Sequence, residues 1–511
     1  MGRSALHLLR RLLPARRPSR QDVFPELAAL LSARKDGNHR AMFTASAGTD
    51  AAVRNFARLL IAVDYLMPEV VLPLSEAWLT PRQPSPIRRF ALEKRAVALA
   101  KLGHHHRALE TLAEARSEGL ISPRSLQLIT ANLLRHADPA RALETLRGVA
   151  EPNHGYRLLT LILTLELEGP DAAAKLIHLD DTSAEGTFAR ATVAAGRDRT
   201  SHEEAIADAF RTYGLAAPTL PKTGEYTADA ILNPEGLEQH ADGPLVTLIV
   251  TAHNAAATLT GAVASLQQQT HGNLEILIVD DLSTDPTAEI AMQIADADPR
   301  VRVLRNRSNI GTYLSRNRAI AQAKGEFVTF HDSDDWSHPE RIARHLAMMV
   351  ADERLMVTKS KWVRMLPDGS LSLRRWTRSF LHVNPSSLFI RTDAFPRIGW
   401  FDAVRADADF ELSRRIDLTL PNEAVATIDA PLAIGFIRPI SITAAGPLAL
   451  DREHHSPVRS AYKQAWTASY PARMASGTLP LPPCPAAYIY DVPPSMRVDL
   501  AGVADWFDAR D

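Results

Sequence analysis

Between Leu245 and Phe330 the chain alternates short apolar, β-prone runs with helical stretches, and this alternation restricts the fold more than any other feature. The runs Leu245–Val250, Leu274–Val279, Val301–Leu304 and Phe327–Phe330 read as strands, with helices over Ala262–Gln268, about Thr287–Ala295 and Tyr313–Ala323 between them. Strands that are apolar on both faces and separated by helices belong to a mostly parallel sheet covered on both sides. The fold class is therefore α/β for this part of the chain. Ligands of such sheets bind beyond the carboxyl ends of the strands, and the polar clusters of this segment stand at those ends.

Upstream the pattern is different. Residues 22–215 read as helix after helix, with Ala and Leu at three- and four-residue spacing. Arg107-Ala108-Leu109-Glu110-Thr111-Leu112 recurs 34 residues later as Arg141-Ala142-Leu143-Glu144-Thr145-Leu146, the tetratricopeptide period. Pro123 and Pro139 fall where new helices can start. An all-α helical-repeat domain of tetratricopeptide-like hairpins is expected, with a non-repeating helical bundle as the alternative. It would dock a protein partner, the acceptor or the other half of the chain. The triplet His104-His105-His106 cannot converge on one metal ion, because successive helical side chains point in different directions.

Residues 216–243 read as a linker, punctuated by Pro218, Pro221, Gly224, Pro234, Gly236 and Gly243. The α/β domain is expected over 244–446. A C-terminal extension, 447–511, holds nine of the 34 prolines, so it reads as an extended segment with a helix around Arg459–Tyr470 that either wraps the α/β domain or runs partly loose. The basic segment 1–21 carries six arginines in its first 20 residues and no acid there, with leucines at helical spacing. It is read as a frayed terminus or as a short amphipathic segment in peripheral contact with an anionic membrane.

Composition removes several function classes. Of 511 residues, 46% are hydrophobic, which excludes global disorder; 58 basic against 59 acidic residues give no basic excess for nucleic acid. The single cysteine, Cys484, excludes a disulfide framework and a cysteine-rich zinc site, so a cytoplasmic location is expected. No apolar run is long and clean enough for a transmembrane segment.

Four clusters carry the chemistry. Asp332-Ser333-Asp334-Asp335 follows a buried strand, and three carboxylates within four residues are costly unless a cation compensates; Mg2+ or Mn2+ carrying a diphosphate would do so. Asp280 and Asp281 end the second strand, where a carboxylate can accept from a base N–H or ribose hydroxyls. Thr251 and Asn254 end the first strand and read as the floor of the same pocket. Asn309 and Gly311 precede Arg316 and Arg318: the glycine allows close backbone approach and an arginine can hold phosphate, with surface charge the equal alternative for either arginine.

These residues resemble glycosyltransferase family 2, the inverting nucleotide-sugar transferases of the GT-A fold, over roughly Pro244–Gly446. The resemblance matches Thr251 to Asn254, the Asp280-Asp281-Leu282-Ser283 element and the Asp332-Ser333-Asp334 metal motif, with Leu282 in place of the usual glycine. His331 stands at a usually apolar position and is read as structural or supporting, with metal ligation as the lesser option. The family's late base maps to Asp409, with Ala408 replacing the usual preceding Glu and Asp407 as the competing choice; an exposed helix face is the ordinary alternative for Asp407 and Glu411. On the acceptor side, Trp376, Asn384 and Ser386 are implied, plain core packing being the alternative for the tryptophan.

The resemblance implies a metal-dependent inverting transfer of a sugar from a nucleotide diphosphate-sugar donor, with UDP-sugar leading, to a hydroxyl of a glycan or glycoconjugate in surface polysaccharide biosynthesis. The alternative is a non-catalytic helical-repeat interaction protein with a degenerate sugar-nucleotide-binding domain.

Overall fold

The computed structural model describes residues 20–504 and 507, apart from 82, 84, 178–182, 375, 376, 439 and 440. The basic segment, read as a frayed terminus or as a membrane-contacting segment, lies almost wholly outside the described residues, as does Trp376. Among the described residues no helix is long and apolar enough to cross a membrane.

The chain forms two compact units, Met1–Thr145 with Leu450–Leu479, and Leu146–Ala449 with Pro480–Asp511. The helical run is thus shared between them.

The first unit is all helix. Asn38, Asp50 and Ser122 accept backbone N–H bonds at the starts of the helices His39–Ser46, Ala51–Asp64 and Pro123–Leu134, satisfying donors that would otherwise be orphaned. Pro123 and Pro139 open helices as expected. In the two copies of the repeat the same positions face inward: Ala108 and Leu112, then Ala142 and Leu146, are buried. Residues 450–479 belong to this unit. Glu453 meets the fully buried Arg135 at 2.7 Å, and its carbonyl accepts from Lys101 Nζ at 2.7 Å. Burial lowers the Lys101 pKa to about 8. In the helix Pro457–Ser476, Trp466 and Tyr470 pack on Tyr65 and Phe43 with ring centroids 5.2 and 5.4 Å apart.

The second unit holds the sheet. Its strands are β1 (Val246–Ala252), β2 (Leu274–Asp280), β3 (Val301–Arg305), β4 (Phe327–Asp332), β5 (Trp336–Ser337), β6 (Val357–Met365), β7 (His382–Val383), β8 (Phe389–Arg391) and β9 (Val425–Phe436). The order is β3-β2-β1-β4-β8-β6-β9-β5, with β7 on β6. The expected parallel arrangement holds for β3-β2-β1-β4. Beyond β4 the sheet is mixed: β8 runs antiparallel to β4 and β6, while β6 and β9 are parallel.

Every residue of β1 and β2 is buried. Alternate residues of β1 (Val246, Leu248, Val250) pack with Leu259, Val263, Ile342 and Leu346 from helices on one face. After β3 the chain reverses its direction across the sheet, so a right-handed crossover carries the helix Gly311–Gln322 to the opposite face of β1 and β2. The strand order therefore switches between β1 and β4, and the carboxyl ends of these two strands frame the place where such sheets take ligands.

Helices from the 154–211 region join this unit. Phe188, Ile206 and Phe210 share a core with Trp336, Val363 and Leu432. Residues 216–243, linker-like in composition, bury Leu220, Tyr226, Ala228 and Ile231 in the same core.

Candidate functional site

The acidic clusters at the ends of β2 and β4 and in the 401–409 segment meet on one helix, Gly311–Gln322. Asp281, buried at the end of β2, takes the helix start. Its Oδ1 accepts from Ile310 N and Asn306 Nδ2, and its Oδ2 from Gly311 N, each at 2.8 Å. An anion at a helix N-terminus is favoured by the exposed N–H groups there. Gly311 has φ +77°, a conformation that costs a residue with a Cβ. Removing the Asp281 carboxylate leaves three N–H donors without their acceptor. Asp281→Ala is expected to lower stability by about 1–3 kcal/mol, readable as a shift in the urea midpoint.

Within the first turn of that helix, Tyr313 Oη donates to Asp409 Oδ1 at 3.0 Å. Arg316, three residues further and so on the same helix face, donates through Nη2 to Asp332 Oδ1 at 2.8 Å and to Ser386 Oγ at 3.0 Å. Its guanidinium sits among the rings of Tyr313, Phe330 and Phe401, 5.2–5.8 Å from their centroids, an arrangement that stabilises a buried cation. Ser386 Oγ also lies 2.9 Å from both oxygens of Asp332. Thus Asp332, Arg316, Ser386, Tyr313 and Asp409 form one connected cluster.

Asp334 pairs with Arg438. Burial, and then repulsion from Asp332, raise its pKa. Asp335 turns inward, accepts from Phe436 N at 3.1 Å and is raised well above the ordinary range by burial and by the two neighbouring carboxylates. His331 is a structural residue. Its Nε2 bonds Asp335 O at 2.9 Å and its Nδ1 lies 3.2 Å from Arg341 Nη1, so both ring nitrogens are engaged. Burial, followed by the Arg341 charge, lowers its pKa to about 3, which keeps it neutral.

The other predicted residues have mixed placements. Asp280 is buried; Oδ1 accepts from Ser283 N at 3.2 Å, and Oδ2 has no hydrogen-bond partner among the described residues, with Arg305 Nε 3.7 Å away. Asn254, at φ +50°, binds the 283–284 turn through its N–H to Ser283 Oγ and its Oδ1 from Thr284 N. Asn309 donates to Asp281 O and accepts from Arg405 Nη1. Thr251 is buried in β1 opposite Asp332 of β4. Asn384 is buried and caps the short turn Pro385–Ser387; only Ser386 of the predicted acceptor residues reaches the cluster among those described.

The acid run near 409 also divides. Asp407, at φ +65°, starts the helix Ala408–Thr419. Glu411 does not lie on an exposed helix face. It is fully buried against Arg415. Tyr313 and Arg405 are the connecting residues that the sequence reading does not single out. The three-residue spacing of Tyr313 and Arg316 is the signal that could have found the first.

Residues 247–396 match the family model described as glycosyl transferase family 2. This stretch is a glycosyltransferase family 2 domain. It takes in β1 to β8, including Asp280, Asp332 and Ser386, and ends before Asp407 and Asp409. The family 2 domain has the GT-A fold that the resemblance implies. An uncharacterized glycosyltransferase of Haemophilus influenzae is 33% identical over 113 residues, covering 22% of this chain and 45% of its own. The putative teichuronic acid biosynthesis glycosyltransferase TuaG of Bacillus subtilis is 36% identical over 107 residues, 21% of this chain and 42% of its own. The chain thus spans under half the length of either relative. A crystal structure of S. aureus TarS residues 1–349 in complex with UDP-GlcNAc is similar with a TM-score of 0.36 and 20% identity, over 44% of this chain and 65% of that one.

Proposed function

We propose that the protein is an inverting glycosyltransferase that moves a sugar from a nucleotide diphosphate-sugar, with UDP-sugar the leading donor, to a glycan or glycoconjugate hydroxyl. The observation that carries this reading is the connection of Asp332 to Asp409 through Arg316 and Tyr313, inside and just beyond a family 2 domain. An inverting displacement needs a charge-stabilised leaving group on one side and a single base on the other.

In this reading the nucleoside lies at the ends of β1 and β2, where Asp280 Oδ2 is a buried acceptor without a donor among the described residues. Asp332 and Asp334 would hold Mn2+ or Mg2+. Their mutual repulsion suits a cation, and two carboxylates suffice for an ion that fills its shell with water and phosphate oxygens. When bound, the ion supplies charge to the departing diphosphate. Arg438, beside Asp334, is placed to share that task. Asp409 takes the proton of the acceptor hydroxyl, and Ser386 stands on the acceptor side next to Asp332. The name of TuaG supports a role in polysaccharide biosynthesis.

Asp334→Ala is expected to weaken Mn2+-dependent binding of UDP at least tenfold, roughly the loss of one strong charge contact, in calorimetry with and without the metal. Equal affinity in both proteins would remove Asp334 from the metal site. The non-catalytic alternative is tested by the purified chain itself: release of UDP from a panel of UDP-sugars with Mn2+ supports transfer, and binding without turnover supports the alternative.

A further inference from the structure

The proline-rich stretch Pro480–Val503 lies outside the family 2 match but in the same compact unit as the sheet. It holds two pieces of chain on which the proposed chemistry depends. On the helix Gly311–Gln322, Asn317 Nδ2 donates to Pro483 O and to Phe401 O, each at 2.8 Å. Val498 and Val503 pack with Ile310, Leu314 and Ala403.

On the 402–405 segment the grip is closer. Arg405 N donates to Met496 O at 2.9 Å. Tyr488 Oη donates to Ala403 O at 2.8 Å and accepts from Val498 N at 2.7 Å. Tyr490 Oη bonds Asp402 Oδ2. From the other side, the Arg405 side chain donates to Asn309 Oδ1 at 2.7 Å.

These contacts hold the chain immediately before the proposed base. Asp407 is a non-glycine residue in the left-handed region, and it turns the backbone into the helix that carries Asp409. Such a conformation persists only where the surroundings over-determine it. The C-terminal stretch supplies that constraint on one side, and Asn309 supplies it on the other.

We propose that Tyr488–Val498 is a positioning element of the transfer site and that Tyr488 is its principal positioning residue, holding the 402–407 segment so that Asp409 stays against Tyr313. The proposal rests on the reading of Asp409 as the base. The variant Tyr488→Phe keeps the ring and removes the hydroxyl's contacts with Ala403 O, Val498 N and Val498 O. In the full chain its kcat, per folded molecule, should fall about tenfold or more, because small misplacements of a reacting group are costly, while the Kd for UDP with Mn2+ stays within about twofold. A kcat equal to wild type, with only a lowered melting temperature, overturns the proposal and leaves the stretch a structural one. If Tyr488→Phe does not fold, Tyr490→Phe, which removes the hydroxyl bonded to Asp402 Oδ2, decides by the same two readings. A wild-type chain that neither binds UDP nor releases it from any UDP-sugar overturns the underlying reading. An active wild type with an unimpaired variant overturns the positioning role alone.

Discussion

Asp409→Asn is expected to bind UDP and Mn2+ as the wild type does and to turn over about 10²–10⁴-fold more slowly, the usual range for loss of a positioned base. This carboxylate is the proposed base, and the expectation follows from that role and from its surroundings. Oδ1 accepts from Tyr313 Oη at 3.0 Å and from Phe410 N at 2.8 Å, which fixes the group; Oδ2 has no hydrogen-bond partner among the described residues and in the proposed role would meet the acceptor hydroxyl. Burial, and then the neighbouring Asp407 charge, raise the Asp409 pKa above its ordinary value. Tyr313, pushed up by burial and by Asp409 itself, stays protonated and remains a donor. The base acts deprotonated, so the rate should rise with pH through that raised pKa. Asp407→Asn removes a repelling charge and should move this acidic limb to lower pH without abolishing turnover. Turnover lost in Asp407→Asn but kept in Asp409→Asn would exchange the two roles. Single-turnover rates across pH make the measurement.

The largest stability effect is expected from Glu411→Ala, about 3–5 kcal/mol, the typical result of stripping the partner from a buried charge. Both side chains of the Glu411–Arg415 pair have 0% exposure. Arg415 Nε and Nη2 reach the two carboxylate oxygens at 2.9 and 2.8 Å. The same guanidinium donates to Trp400 O at 2.5 Å and to Ile398 O. It thereby braces the turn at Gly399, whose φ is +74°. Without Glu411 the Arg415 cation is left in the core without its counter-charge, although it still donates to the carbonyls of residues 398 and 400. A double change, Glu411→Leu with Arg415→Met, removes both charges and should recover part of the loss. Recovery stays incomplete because two backbone carbonyls then lose their donor. Urea midpoints of the variants against wild type are the test, and a shift below about 1 kcal/mol for Glu411→Ala would contradict the buried-charge argument.

Some of the site could be read in the linear chain because its residues are local to strand ends. Asp280 and Asp332 follow apolar runs long enough to read as strands, and the sheet does the rest by bringing β1, β2 and β4 side by side. Strands of two or three residues, such as β5, β7 and β8, are too short to show a period, so these members of the mixed half of the sheet left no trace. Arg316 was legible as a cation near the site, yet its partners come from residues 332 and 386 and its aromatic surroundings from 313, 330 and 401. Asp281 reads as a ligand-binding acid in sequence, whereas in the fold its oxygens are engaged by the loop and helix start at 306–311. Glu411 and Asp409 are two residues apart and chemically alike. One is buried beside a cation four positions on, and the other faces a tyrosine nearly a hundred residues earlier in the chain.

By itself, the sequence determined what local periodicity and composition can determine: a helical N-terminal region, a parallel α/β core, and acids at the strand ends. Which acid is held by an N–H, which by an arginine and which keeps an open oxygen was decided only by tertiary structure. Those partners are distant in the chain, and a carboxylate's role depends on what its fold places within hydrogen-bond reach. The same holds for the C-terminal stretch, whose prolines predict an extended path and whose contacts with residues 402–405 exist only once that path is laid over the sheet domain.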